Sequence, residues 1–330
     1  MTPIAADRTG ELQLSIVLPV FNESELLPTL FRRLTDVLTA MAVTYEIIFV
    51  NDGSRDGSWE AILAATRMDP RAKAINLSRN FGHQIAITAG LDASRGHAVV
   101  VMDSDLQDPP EVIPELYASY AKGFDVVYAQ RRRRDGETWL KKATAKAFYR
   151  VVRRMTNLDL PVDTGDFRLM SRRVVDDLAR FPEHHRFIRG LVAWVGYNQT
   201  PVLYDRDRRF GGRTKFSIGK MMVFAFDGIT SMSIQPLRLA SHVGLALSVL
   251  SFAGMVAVIV YKLSGGAGLI PGWTSLFVAA LFLGGIQLMA LGLLGEYIGR
   301  IHDEVKQRPM YLVRDLVNMD QPSAPTARVP

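Results

Sequence analysis

Asp103, Ser104 and Asp105 follow directly on AVVVM (98–102), a short apolar run rich in β-branched residues. Two carboxylates at i and i+2, released from a strand end, reach one divalent cation and the phosphates it binds. Oxygen ligation selects a hard ion, Mg2+ or Mn2+. The spacing recurs in Asp205-Arg206-Asp207. Its place after a buried strand, not the pair itself, therefore sets the first copy apart from a solvated turn. Asp52, in NDGSRDGS (51–58), also ends a strand-like run. Its carboxylate either belongs to a turn that caps the next helix or hydrogen-bonds the base of a nucleotide. DTGDFRLM (163–170) sets Asp163 and Asp166 beside Arg168, which taken alone reads equally as a helix N-cap with an ion pair.

Basic residues cluster more than the formal net charge of +6 suggests. Residues 131–154 hold ten, including Arg131, against Asp135 and Glu137. Such a block points to phosphates on a lipid headgroup, a phosphorylated substrate or nucleic acid. Nucleic acid is disfavoured, because aromatics are sparse there beyond Trp139, Phe148 and Tyr149. Arg206, Arg208, Arg209, Arg213 and Lys215, spaced by Gly211-Gly212, form a second basic loop. It suits anionic headgroups or the phosphate of a lipid substrate, and both readings stand together. Cysteine is absent, which excludes disulfides and thiolate chemistry. The histidines show no HExxH spacing, and His184-His185 reads as a surface pair, so no histidine metal site is expected. Dinucleotide and P-loop glycine patterns and a hydrolase elbow are likewise missing.

These residues need a scaffold, and the pattern supplies one. LSIVLPV (14–20), YEIIFV (45–50) and residues 72–77, 98–102 and 125–129 read as short buried strands. Asn22 offers an N-cap before the helical pattern Leu26, Leu27, Leu30, Leu34, Val37 and Leu38, and 84–93 reads as another helix. Alternating strands and helices imply an α/β domain, a mostly parallel sheet with helices on both faces. Ligands then belong at the carboxyl ends of the strands, where the acidic clusters fall.

Between Arg238 and Glu296 only Lys262 carries a formal charge. Residues 239–261 and 269–295 are each long enough for a helix to cross a hydrocarbon core of about 30 Å. Basic flanks at Lys215, Lys220 and Arg238 and at Arg300, Lys306, Arg308 and Arg314 put both termini in the cytoplasm. The first 20 residues lack a basic stretch leading into an apolar one, so no secretory signal is expected. The expected layout is a catalytic domain over 1–215, a juxtamembrane segment over 216–237, two transmembrane helices over 238–298 and a cytoplasmic tail over 299–330. The juxtamembrane segment is either an interfacial amphipathic helix or an ordinary domain helix. The helical glycines Gly284, Gly285, Gly292 and Gly295 permit a homo-oligomer.

In order, IVLPVFNES (16–24), IIFVNDGSRDGS (47–58), LSRNFGHQ (77–84), VVVMDSDLQDPPE (99–111) and DTGDFRLMSR (163–172) resemble the family-2 glycosyltransferases of GT-A fold. More narrowly they resemble polyisoprenyl-phosphate glycosyltransferases, the group with dolichol-phosphate mannose synthases and bactoprenol glucosyltransferases. FGGRTKFSIGKMMVFAFDGITSMSIQPLRLA (210–240) fits the bacterial members. The resemblance implies inverting transfer of a hexose, UDP-glucose being the first choice of donor and GDP-mannose the alternative. The acceptor implied is a polyprenyl phosphate in the bilayer. Pro19, Phe21 and Glu23 would line the nucleotide site, with Asp52 on the base and Ser78 and Arg79 nearby. Asp103, Asp105 and Gln107 would hold the metal and diphosphate, and Asp166 would sit at the reacting groups. Arg131, Arg206, Arg209 and Lys215 would bind the acceptor phosphate. Ser104 replaces an alanine common in the family and is expected to be harmless. A processive polysaccharide synthase would carry a QxxRW-type motif, absent here. A non-catalytic membrane scaffold would not be expected to keep both aspartates.

Overall fold

The computed structural model describes residues 12–132, 164–184, 186–205, 235–264 and 272–319. Five expected strands form: β1 (Leu14–Val20), β2 (Tyr45–Asn51), β3 (Ala72–Leu77), β4 (Ala98–Val101) and β5 (Val126–Arg131). Three more join them, β6 (Thr164–Ser171), β7 (Gln199–Tyr204) and β8 (Val313–Val317). The helices of this unit are α1 (Leu27–Ala40), α2 (Ser58–Met68), α3 (His83–Ala93), α4 (Ile113–Ala121), α5 (Arg172–Ala179) and α6 (Ile188–Trp194).

All eight strands make one sheet in the order β7-β5-β6-β4-β1-β2-β3-β8. Pairs β1–β2, β1–β4, β2–β3 and β5–β7 are parallel. Pairs β4–β6, β5–β6 and β3–β8 are antiparallel. β1 and β2 are buried along their whole length, as their continuous apolar runs require of strands covered on both faces.

Helix α1 buries Leu27, Leu30, Phe31, Leu34 and Leu38, a stripe at helical spacing. They meet Ile16, Leu18, Ile47 and Phe49 from one sheet face in the main core. Asn22 does not cap this helix. It has φ +57, and its side-chain oxygen accepts the Arg55 N–H at 2.8 Å; the helix starts later, with Pro28 in its first turn. The other sheet face packs Ile48, Val50, Ile75 and Leu77 against Ala86 and Ala89 of α3. Tyr311, Val313, Leu316 and Met319 extend that second core. The segment expected as a cytoplasmic tail is thus partly a strand of the domain. Its Ser78–Leu312 backbone bond is 2.8 Å long.

DTGDFRLM is not a helix cap. Residues 164–171 are a strand, with Phe167 and Leu169 in the main core and Asp166 and Arg168 alternating with them. A second unit contains α7 (Gln235–Leu263) and α8 (Trp273–Val305), which touch one another. Among the described residues, one stretch, Phe282–Val305, is long and apolar enough to cross a membrane; Ala240–Gly254 in α7 is a shorter apolar stretch.

Candidate active site

Strand register brings the acids together. β4 runs antiparallel to β6 with Val101 opposite Arg168, and continuing that register by two residues sets Asp103 against Asp166. The parallel pairing of Val17 with Val101, continued likewise, sets Pro19 beside Asp103. Ser104 Oγ donates to the Pro19 carbonyl at 2.9 Å and is buried. Ser104 therefore sews the aspartate loop to β1.

A third element arrives from the β3–α3 loop. Asp52 is buried, and its oxygens accept the N–H groups of Phe81 at 2.7 Å and Gly82 at 3.0 Å. Gly53 lies at φ +64, where a Cβ would stand 2.5 Å from the Asn80 nitrogen. Only glycine accommodates both the left-handed backbone and that approach. The clamp delivers His83, whose Nε2 lies 3.0 Å from Asp166 Oδ2 and 3.4 Å from Asp103 Oδ1. Arg189, near the start of α6, forks onto Asp166 at 2.7 and 3.1 Å. Gln84 Nε2 also reaches Asp166 Oδ2, at 3.4 Å. Where no histidine metal site was expected, His83 falls in a group that could hold a cation; the missing HExxH pattern says nothing about ligands gathered from separate elements.

The two acids titrate in opposite directions. Burial works against the Asp166 charge, but the His83 hydrogen bond and the Arg189 guanidinium outweigh it and hold its carboxyl well below the usual range. Asp103 is pushed up to about 6, first by burial and then by the nearby acids Asp166, Asp108 and Asp105, against the pull of His83. Its Oδ1 is buried and accepts no hydrogen bond. Ligand atoms of His83, Asp103 and Asp166 lie within 4.8 Å of one another. Crowded carboxylates with an orphaned oxygen fit a divalent cation; their oxygens suit Mg2+ or Mn2+, and the imidazole nitrogen favours Mn2+ of the two.

The remaining expected residues are distributed around this cluster. Asp105 Oδ1 accepts the backbone N–H of Gln107 at 3.1 Å; both are half-buried, and neither belongs to the three-residue group. Arg131, at the end of β5, lies beside Gly165 and hydrogen-bonds Tyr204. Tyr204 in turn donates to Asp108 at 2.5 Å. Glu23 is half-buried, and its backbone N–H donates to Ser58 Oγ at 2.9 Å. Arg206, Arg209 and Lys215 lie outside the described residues, as does Asp163.

A cleft of about 590 Å³ opens at the ends of β1, β2 and β3, lined by none of His83, Asp103 and Asp166. Phe21, Ser78 and Arg79 line it, with Asn51, Asn76 and Arg314. Phe21 is 42% exposed there. The Asp52 carboxylate, expected on a nucleotide base, accepts the loop amides, and burial raises its pKa despite them. His83 and Arg189 were not singled out from sequence. His83 sits inside the LSRNFGHQ motif, which was the available signal, whereas Arg189 in FIRGL carries none.

A sheet whose strand ends present paired acids beside a cleft this size can hold a diphosphate and a cation. Residues 15–179 match the family described as "Glycosyl transferase family 2". The chain is 50% identical over 309 residues to an uncharacterized glycosyltransferase of Synechocystis sp., covering 94% of this chain and 97% of that one. It is 41% identical over 303 residues to the SfII prophage-derived bactoprenol glucosyl transferase of Shigella flexneri, covering 92% and 98%. Among solved structures, glucosyl-3-phosphoglycerate synthase from Mycobacterium tuberculosis overlays with a TM-score of 0.48 at 21% identity, covering 68% of this chain and 80% of that one. With its GT-A-like α/β fold, the chain belongs to glycosyl transferase family 2.

Proposed function

We propose that this protein transfers a hexose from a nucleotide diphosphate sugar, UDP-glucose first, to a polyprenyl phosphate at the cytoplasmic face of a membrane. The observation that carries the reading is the meeting of Asp103, Asp166 and His83 at the carboxyl edge of the sheet. The likeness to bactoprenol glucosyl transferases over nearly the whole chain supports the acceptor class.

The chemistry proposed is inverting. An oxygen of the acceptor phosphate attacks the anomeric carbon as the bond to the nucleotide diphosphate breaks on the opposite face. The phosphate is already anionic, so no strong general base is needed. Asp103, with His83 or with Asp105 and Gln107, would hold a divalent cation, which would supply Lewis-acid compensation for charge on the leaving diphosphate. Asp166, fixed by Arg189 and His83, is placed to orient sugar or acceptor. Arg131 and the basic loop with Arg206, Arg209 and Lys215 offset the repulsion between two phosphorylated substrates. Helices α7 and α8 serve as the membrane anchor, with both termini cytoplasmic, because a prenyl tail keeps the acceptor in the bilayer.

Purified protein incubated with undecaprenyl phosphate, Mn2+ and labelled UDP- or GDP-sugars tests this. Label entering the lipid phase from UDP-glucose is the expected result; no transfer from any donor refutes it. Asp166→Asn is expected to slow turnover at every pH, whereas rescue at high pH would make Asp166 a true base.

A further inference from the structure

Nothing in the donor motifs reaches beyond residue 172, yet the cleft beside them is completed by a residue from the far side of both long helices. Arg314 lies on β8, which pairs with β3 so that Asn76 faces Asp315. Its Nη2 donates to the Ser78 carbonyl at 2.9 Å, and its exposed side chain lines the cleft with Arg79 and Phe21. The floor is a chain of amides. Asn51 Nδ2 donates to Asn76 Oδ1 at 2.8 Å, and Asn76 Nδ2 donates to Asp315 Oδ2 at 2.7 Å. β8 thus shapes the cleft through two neighbouring residues.

The combination is chemically selective. An exposed phenyl ring offers a face for stacking a flat heteroaromatic. Guanidinium groups only donate hydrogen bonds, so at the position they meet, Arg79 and Arg314 suit a keto oxygen and disfavour an amino group, whatever the rest of the ring carries. On the proposed function the phosphates would lie at the acidic cluster, with the cation it would hold. We infer that Arg314 is a specificity-determining residue for the donor, its guanidinium engaging a keto oxygen of the nucleotide base. The post-helix strand, and not the family-2 segment alone, then completes the donor site. This rests on the nucleotide-sugar reading above.

The test uses the full-length protein in detergent with Mn2+, measuring binding of UDP against CDP, which differ by a keto or an amino group at position 4, and of GDP against ADP, which differ in the same way at position 6. Keto and amino base here refer to those two positions. Wild-type protein is expected to prefer a keto base. Arg314→Ala is expected to weaken that binding and raise the donor KM about tenfold, with kcat changed by less than about twofold, the scale of one charge-assisted hydrogen bond. The preference over the matching amino base should shrink with it, and Arg314→Lys, which keeps a donor, should recover part of the loss. Equal loss for keto and amino bases would mark a merely structural role and overturn the inference, as would unchanged binding in Arg314→Ala. Wild-type protein that binds none of the four overturns the donor reading itself, and the inference with it.

Discussion

Asp52→Asn separates two physical roles for one carboxylate. In the structure both Asp52 oxygens accept backbone N–H groups of the loop that carries His83. Asparagine keeps one acceptor and turns an NH2 toward the other amide. An orphaned buried donor costs about 1–3 kcal/mol, and the remaining bond loses its charge assistance, about 1 kcal/mol more. Burial raises the Asp52 pKa, so removing the charge offsets part of that cost. The net is about 2 kcal/mol of destabilisation, and for a domain of this size that lowers Tm by about 4–8 °C. Thermal unfolding of the full-length variant reads this directly, and Mn2+ titration reads the loosening of His83 that should accompany it. A Tm within about 1 °C of wild type, with nucleotide affinity alone reduced, would refute the clamp and return Asp52 to the base.

Arg189→Gln removes the fork that neutralises buried Asp166 and is expected to cost about 2–3 kcal/mol in denaturant unfolding, less than a fully isolated charge because His83 and Arg168 remain. The folded Asp166 pKa is depressed. Its contribution to stability is therefore complete above the unfolded value near 4 and drains as pH falls below that. Acid unfolding of Arg189→Gln should begin at higher pH than in the wild type. Ser104→Ala breaks a buried bond to Pro19 and is expected to cost about 1 kcal/mol; an unchanged unfolding midpoint would show the serine to be dispensable. Asp103→Asn removes the crowded acid with the orphaned oxygen, so Mn2+ affinity measured by calorimetry should fall by more than about tenfold, and full retention would take the cation elsewhere.

The first five strands were legible as short, largely apolar runs closed by turn residues, β-branched in β1, β2, β4 and β5, a pattern that burial on both faces favours. β6 was not, because its buried face carries Asp166 and Arg168, charges that local hydropathy assigns to loops. β8 reads VRDLV after two long helices, and nothing local signals a partner strand 239 residues earlier. Asp103 and Asp166 were found from motif and resemblance. Their meeting with His83 depends on the β4–β6 register and the Asp52 clamp, both products of tertiary folding. Arg189 escaped notice for the same reason, since an arginine in FIRGL looks like any solvated helix residue.

That β8 follows α8 imposes an order on biogenesis. While the ribosome is still making residues 235–305, the outer rim of β3 holds a row of open amide and carbonyl groups, a template for mispairing with other chains. Closure waits until residue 317 has been synthesised, so nascent chains are exposed to aggregation during the very interval in which the helices are being emplaced.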